Sequence, residues 1–153
     1  MPSTNKMSTK FEKPDESPGF LLWQTMNLWQ RKMRAALRES GLTHVQFVLL
    51  ASTVWLNDHG QVATQVMIAR FAHADVMMTS QVLRSLEEKD LVLRLKKPKG
   101  DTRARLISPT KKGRELVGKA IIVVEDTDSA FFDVLNDKVS EFTEMLRKLI
   151  SSN

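Results

Sequence analysis

The chain has 153 residues, of which 42% are apolar and 27% charged, enough apolar material for the core of one compact domain. It contains no cysteine, which excludes disulfides, thiolate metal ligands and thiol-based redox sensing. The formal net charge of +5 indicates a nucleic-acid partner only if the cations cluster on one surface. No apolar run reaches the roughly 20 residues of a membrane-spanning helix. Because the polar stretch 1–6 also lacks a signal-peptide core, we expect a cytoplasmic protein with no membrane partner.

The N-terminal part of the chain predicts a tail followed by two helices. Residues 1–18 are rich in proline, serine and threonine and are predicted to form a flexible tail. After Gly19 the apolar residues recur at three- and four-residue steps, which predicts a helix ended by Gly41 as its C-cap. Thr43 is then placed to cap a second helix, which should end at the turn-forming residues 57–60.

Two further helices and a hairpin follow. A short helix over 64–71 and a longer one, capped by Asp75 and running to Lys89, are separated by about three residues, which is typical of a helix-turn-helix. Residues 91–96 and 103–108 alternate with period two around a turn-rich segment, which predicts two strands forming a wing. After Pro109 we expect two more helices, over 110–134 and 136–150.

The positive charge is concentrated around the predicted wing. Between Arg94 and Arg114 the chain has nine basic residues and one acidic residue, Asp101, a local net charge of +8. Such a run is often only a solvated surface, but on a hairpin beside a helix-turn-helix it favours binding to DNA.

The wing and the turn after it resemble the family of multiple antibiotic resistance regulators, the MarR family. The family pattern D-x-R, followed by T-x-x-G, is matched here by Asp101-Thr102-Arg103 and Thr110-Lys111-Lys112-Gly113. Two positions depart from the pattern: Pro109 stands where leucine is usual, and Asp90 stands where glycine is common. Aspartate tolerates the left-handed backbone that such a turn requires. The likeness extends from about residue 20 to residue 150.

The resemblance implies a mainly α fold with a small β-hairpin wing, in which a winged helix-turn-helix region, 41–109, is joined to N- and C-terminal dimerisation helices, 19–40 and 110–153. It also implies a homodimer that binds a palindromic operator in double-stranded DNA. Many members are repressors released by small aromatic or phenolic ligands, and we expect the same kind of regulation here.

The second helix of the helix-turn-helix is expected to read bases in the major groove. Gln81 can form two hydrogen bonds with adenine, while the methionines are suited either to thymine methyl groups or to the core. The candidate residues on this helix are Met77, Met78, Thr79, Ser80, Gln81 and Arg84.

The wing supplies a second set of candidates. By the resemblance, Arg103 enters the minor groove, and Asp101 is placed to orient its guanidinium. The alternative is a solvated ion pair in the hairpin. Lys97, Lys99 and Arg105 are candidates for phosphate contacts, which position the protein without reading sequence.

The remaining candidates concern assembly and regulation. Trp29 and Trp55 are candidates for an effector pocket, although ordinary packing is the alternative. The histidines are scattered without metal-ligand spacing, and no catalytic or phosphate-binding motif occurs, so we expect no metal, no cofactor and no enzymatic activity. The candidate dimer-interface residues are Leu21, Val139, Phe142, Leu146 and Leu149.

Two other functions remain compatible with these features. The chain could be an architectural or weakly specific DNA-binding protein, or a protein-interaction scaffold whose basic wing binds an acidic partner. The segment 101–103 and the polar residues Gln81 and Arg84 count against the scaffold, because a scaffold has no need for groups that read bases.

Overall fold

A computed structural model of the chain describes residues 7–96 and 105–153. The predicted fold class is confirmed: the molecule is mainly helical with one small antiparallel sheet. In chain order the elements are α1 (Pro18–Ala36), α2 (His44–Asp58), β1 (Ala63–Thr64), α3 (Gln65–Phe71), α4 (Val76–Glu88), β2 (Val92–Lys96), β3 (Arg105–Pro109), α5 (Lys111–Phe132) and α6 (Val139–Ser151). Within the described residues, no helix combines the length and the apolar character needed to cross a membrane.

The boundaries of the first helix differ from the prediction. A 3-10 turn, Pro14–Glu16, lies inside the segment predicted as tail, and α1 begins at Pro18. The Ser17 hydroxyl caps α1 by accepting from the Phe20 N–H at 3.3 Å, and proline suits the first helical position. At the other end a 3-10 turn intervenes, Arg38–Ser40, and Gly41 follows it with a left-handed φ of 64°.

The sheet has three strands in the order β1-β3-β2, and both pairings are antiparallel. Sequence analysis did not predict β1, because its two residues are too few to display a period-two pattern. Ala63 pairs with Ile107 on one side of β3, and Arg94 pairs with Ile107 on the other. The central strand, β3, therefore pairs both with β1, which comes directly before α3, and with β2, which follows α4.

The core lies where α2, α4, the sheet and α5 meet, with the C-terminal part of α1 packed on it. Each of its large members removes apolar area from water, the main favourable term in folding. The largest fully buried apolar side chains are Met33, Leu37, Leu49, Leu50, Ile68, Leu83, Leu86, Leu91, Val92 and Ile107.

The T-x-x-G segment, residues 110–113, connects β3 to the start of α5. Thr110 caps α5 by accepting from the Gly113 N–H at 2.9 Å, and its hydroxyl donates to the Asp90 carbonyl at 2.7 Å. A Cβ on Gly113 would lie 2.1 Å from the Leu91 carbonyl oxygen, so only glycine fits this approach. Asp90 has a φ of 59°, the left-handed conformation expected at this turn.

Candidate nucleic-acid interface

One stripe of α4 faces solvent. Met77 is 75% exposed, and Gln81, Arg84 and Glu88 follow it at helical spacing. We call these four residues the exposed face of α4. The side chain of Asp75 fixes the start of the helix by accepting from the Met78 N–H at 2.8 Å. An amide, a cation and a flexible thioether thus project together from the second helix of a helix-turn-helix.

Not all of the residues predicted on this helix can reach DNA. Thr79 is fully buried, and its hydroxyl donates to the Asp75 carbonyl at 2.7 Å. The prediction that Thr79 contacts DNA is therefore wrong, because the hydroxyl is satisfied within its own helix and its methyl group faces the core. Met78 and Ser80 are half-buried at the sides of the exposed face.

The predicted wing residues Lys97, Lys99, Asp101 and Arg103 lie outside the described residues, so the expectation for the wing tip stays a prediction. Arg105, the first residue of β3, is exposed. Its position next to the wing is compatible with the phosphate contact expected of it.

Several cations of the basic run contact groups of their own chain. The Arg94 Nε lies 3.0 Å from Glu87 Oε2. Arg114 is paired with Asp58 across α5 and α2, and the Lys112 ammonium donates to the Lys89 carbonyl at 2.9 Å. Arg94 and Arg114 are thus paired with acidic residues that lie outside the run, so the net charge counted along the run is larger than the charge available to DNA.

A polar network that the sequence did not predict joins the C-terminal end of α4 to the start of α2. The Gln46 Oε1 accepts from the Thr43 N–H at 3.1 Å and from the Lys89 ammonium at 3.1 Å, and its Nε2 donates to Ser85 Oγ at 3.0 Å. The Lys89 ammonium also donates to the Gly41 carbonyl at 3.0 Å. Thr43 was predicted to cap α2, and Gln46 completes a capping box with it, but the bonds to α4 depend on the tertiary fold.

Trp29 lies where α1, α2 and α5 meet. Its indole N–H donates to Asp128 Oδ1 at 2.7 Å, and its ring lies edge-on to His44 with centroids 4.9 Å apart. Burial lowers the pKa of His44 below 6.5; the Asp128 carboxylate opposes this effect, and Arg34 adds to it. His44 is therefore held mainly neutral beside an indole and a carboxylate.

Trp55 lies at the other end of α2. Its ring stacks on His59, with centroids 3.8 Å apart, and on Phe71, with centroids 5.0 Å apart. Trp29, in contrast, contacts His44, which lies eleven residues before Trp55 in α2, about 16 Å away along the helix axis. Within one chain the structure does not bring Trp29 and Trp55 together, so they do not line a shared pocket.

The terminal helices carry apolar side chains with little cover from their own chain. α6 has no buried residue; Phe142 and Leu146 are half-buried, the former against Phe132 with ring centroids 5.8 Å apart. The predicted interface residues Leu21, Val139 and Leu149 are all exposed. On the N-terminal half of α1 the other exposed large apolar residues are Phe20, Leu22, Trp23, Met26 and Leu28.

The described residues contain no cluster of three histidine, aspartate or glutamate side chains that could hold a metal ion.

The sequence of the chain matches a protein family model and a bacterial relative. Residues 38–127 match the family model described as the ArnR1-like winged-helix domain. The chain is 45% identical over 142 residues to the uncharacterized HTH-type transcriptional regulator YdcH of Bacillus subtilis, covering 93% of this chain and 95% of YdcH.

Solved structures share the fold. BpsR of Bordetella bronchiseptica superposes with a TM-score of 0.83 at 24% identity, covering 94% of this chain and 99% of BpsR. The repressor CouR on a DNA duplex, a protein of Rhodococcus jostii, has a TM-score of 0.80 at 22% identity, covering 94% and 99%. The chain thus belongs to the ArnR1-like winged-helix family, and it is an HTH-type transcriptional regulator.

Proposed function

We propose that the chain is a homodimeric repressor that binds a palindromic operator and leaves it when a small aromatic or phenolic ligand binds. The exposed face of α4 carries the proposal. It offers Gln81 and Arg84, which suit base edges in the major groove, and the basic wing follows directly on the adjacent strand. This is a binding function, without a catalytic step.

Dimerisation is supported by the apolar stripe of α6 and the uncovered half of α1. A stripe of this kind is costly to leave in water, and a second copy of the same chain offers a matching surface. A single α4 presents only three or four side chains to DNA, enough for a half-site, so two copies would provide the length of a specific operator.

Release of the protein from DNA by a ligand is supported by proteins of the same fold. The DNA binding of BpsR is regulated by 6-hydroxynicotinic acid, and CouR has been seen with p-coumaroyl-CoA, two ligands with hydroxylated aromatic rings. In this chain Trp29 and His44 provide aromatic surface at the junction between the terminal helices and the winged region.

The proposal is tested by titrating the full chain with the DNA upstream of its own gene, using fluorescence anisotropy and a scrambled duplex of equal length. A repressor should prefer its operator by about 10³-fold or more at physiological salt, and hydroxylated benzoates or nicotinates should weaken that binding. Equal affinity for both duplexes would indicate the architectural alternative, and no binding to either would indicate the protein-interaction scaffold.

A further inference from the structure

Arg94 is an arginine of the basic run that points away from solvent. It lies in β2, and its side chain is only 14% exposed. Its Nε lies 3.0 Å from Glu87 Oε2, and its Nη2 donates to the Ser80 carbonyl at 3.4 Å. The strand that leads into the wing is thereby attached to two separate points on α4.

The two contacted residues lie two helical turns apart in α4, although one guanidinium reaches an oxygen atom of each. Ser80 and Glu87 are separated by seven residues, about 10 Å along the helix axis, and lie on the same side of α4. At about 100° per residue, that side lies about 60–80° from Met77, directly beside the exposed face. A planar cation that contacts both points resists rotation of the helix about its axis as well as tilting.

The contacts also make Arg94 a poor phosphate ligand. Its charge is opposed by Glu87, and its Nε is shielded from solvent and makes no hydrogen bond within the described residues, although Glu87 Oε2 lies 3.0 Å away. Glu87 is 38% exposed, so its carboxylate would remain partly in water if Arg94 were lost, whereas loss of Glu87 would leave the shielded Arg94 Nε without a nearby opposite charge. Arg94 therefore contacts α4 beside its exposed face, although by sequence it belongs to the cations expected to face DNA.

We propose that Arg94 is a positioning residue for operator specificity. It holds α4 at one rotation and tilt relative to the wing, so that the exposed face meets the base edges while the wing reaches the neighbouring groove. This inference rests on the proposed sequence-specific binding. It predicts that Arg94 controls discrimination between sequences and leaves the electrostatic attraction to DNA unchanged.

The test compares Arg94→Lys with Arg105→Ala, a matched change at an exposed cation on the neighbouring strand. Lysine keeps the charge, but a single ammonium cannot contact Glu87 and the Ser80 carbonyl together. For Arg94→Lys we expect roughly a tenfold or larger loss of operator affinity, unchanged affinity for scrambled DNA and an unchanged salt dependence. Arg105→Ala should weaken binding to both duplexes alike and reduce the salt slope by about one unit.

Each other outcome overturns the proposal. If Arg94→Lys weakens both duplexes equally, Arg94 does not act on discrimination between sequences. If the variant discriminates as well as the wild type, the attachment does not position α4. Thermal melting verifies that the variant folds, and should it fail to fold, Glu87→Gln must show the same loss of discrimination to a smaller degree. A wild-type chain without any operator preference would instead refute the proposed function itself.

Discussion

The side-chain amide of Gln46 in α2 donates to the hydroxyl of Ser85 in α4, with Nε2 and Oγ 3.0 Å apart. The same amide caps its own helix through the Thr43 N–H. Gln46 is only 8% exposed, so these bonds form in a shielded environment where an unpaired polar group is costly. A single glutamine thus contributes both to the start of α2 and to the attachment of α4.

We expect Gln46→Ala to lower the free energy of unfolding by about 1–3 kcal/mol, because it removes half of a capping box and leaves the Thr43 N–H and the half-buried Ser85 hydroxyl without their partner. Urea denaturation followed by circular dichroism measures the change. Gln61→Ala, at an exposed position, is the matched control and should change the free energy by less than about 0.5 kcal/mol. Equal effects of the two substitutions would refute the role of the network.

Gly113→Ala and Gly118→Ala should change stability in opposite directions, although both glycines lie in α5. A Cβ at 113 meets the Leu91 carbonyl oxygen at 2.1 Å, whereas a Cβ at 118 meets nothing within 4 Å. The first substitution should cost about 1–3 kcal/mol or more through overpacking. The second should stabilise by about 0.5–1 kcal/mol, because alanine is the better helix former. Melting temperatures of both variants check this, and a neutral Gly113→Ala would contradict the close packing.

Leu149→Glu should convert the protein to monomers. Leu149 is 60% exposed in the single chain, so the glutamate does not disturb the subunit's own core, but it would place a charge in the proposed dimer interface. Lys148→Glu, on the adjacent exposed position of α6, is the control that should remain dimeric. Light scattering at micromolar concentration distinguishes the two, and operator affinity should fall with the dimer. A monomeric wild-type chain would exclude the proposed assembly.

Stability should depend on pH through His44. Because burial lowers its pKa in the folded state, the unfolded state binds more protons between the folded pKa and 6.5. The stability that neutral His44 provides is therefore present above pH 6.5 and is lost as the pH falls. His44→Gln should flatten the loss of unfolding free energy between pH 7.5 and pH 5.5. Asp128→Asn should steepen it, since the carboxylate that opposes the lowering is gone. Parallel curves for all three proteins would refute this role of burial.

Gln81→Ala should relax the base preference of the operator at one base pair per half-site, at a cost of roughly 1–3 kcal/mol. Glu88→Ala, on the same exposed face but near the end of α4, removes a negative charge and should leave the preference at that base pair intact. Anisotropy titrations against operators substituted one position at a time measure both effects. An unaltered preference in Gln81→Ala would mean that another face of α4 meets the bases.

Local chemistry was readable from the sequence. Thr43 and Asp75 were predicted as helix caps because the residues that they bind lie three positions away, and each accepts such a bond in the structure. Likewise the left-handed turn at Asp90 depends only on its own side chain and its neighbours. The helix order and the two longer strands followed from the same short-range signals.

Pairings across the fold were not readable. The burial of Thr79 depends on which side of α4 meets the core, and a polar residue type concealed it. Arg94 and Arg114 looked like free cations because Glu87 and Asp58 come close to them only after folding. Trp29 and Trp55 are likewise separate because their contacts lie near opposite ends of α2. The periodicity of apolar residues in the sequence does not show which side chains share a pocket.

The uncovered stripe of α6 separates partner choice from DNA recognition. Residues such as Met145 and Leu149 contribute little to the packing of their own subunit, so the lobe can keep its fold while they change. In the proposed dimer, substitutions there would alter which chains pair while the α4 surface stays the same. After a gene duplication, two copies could cease to form mixed dimers through changes in this helix alone. The two duplicates would then form separate homodimers before the DNA sites that they bind had diverged.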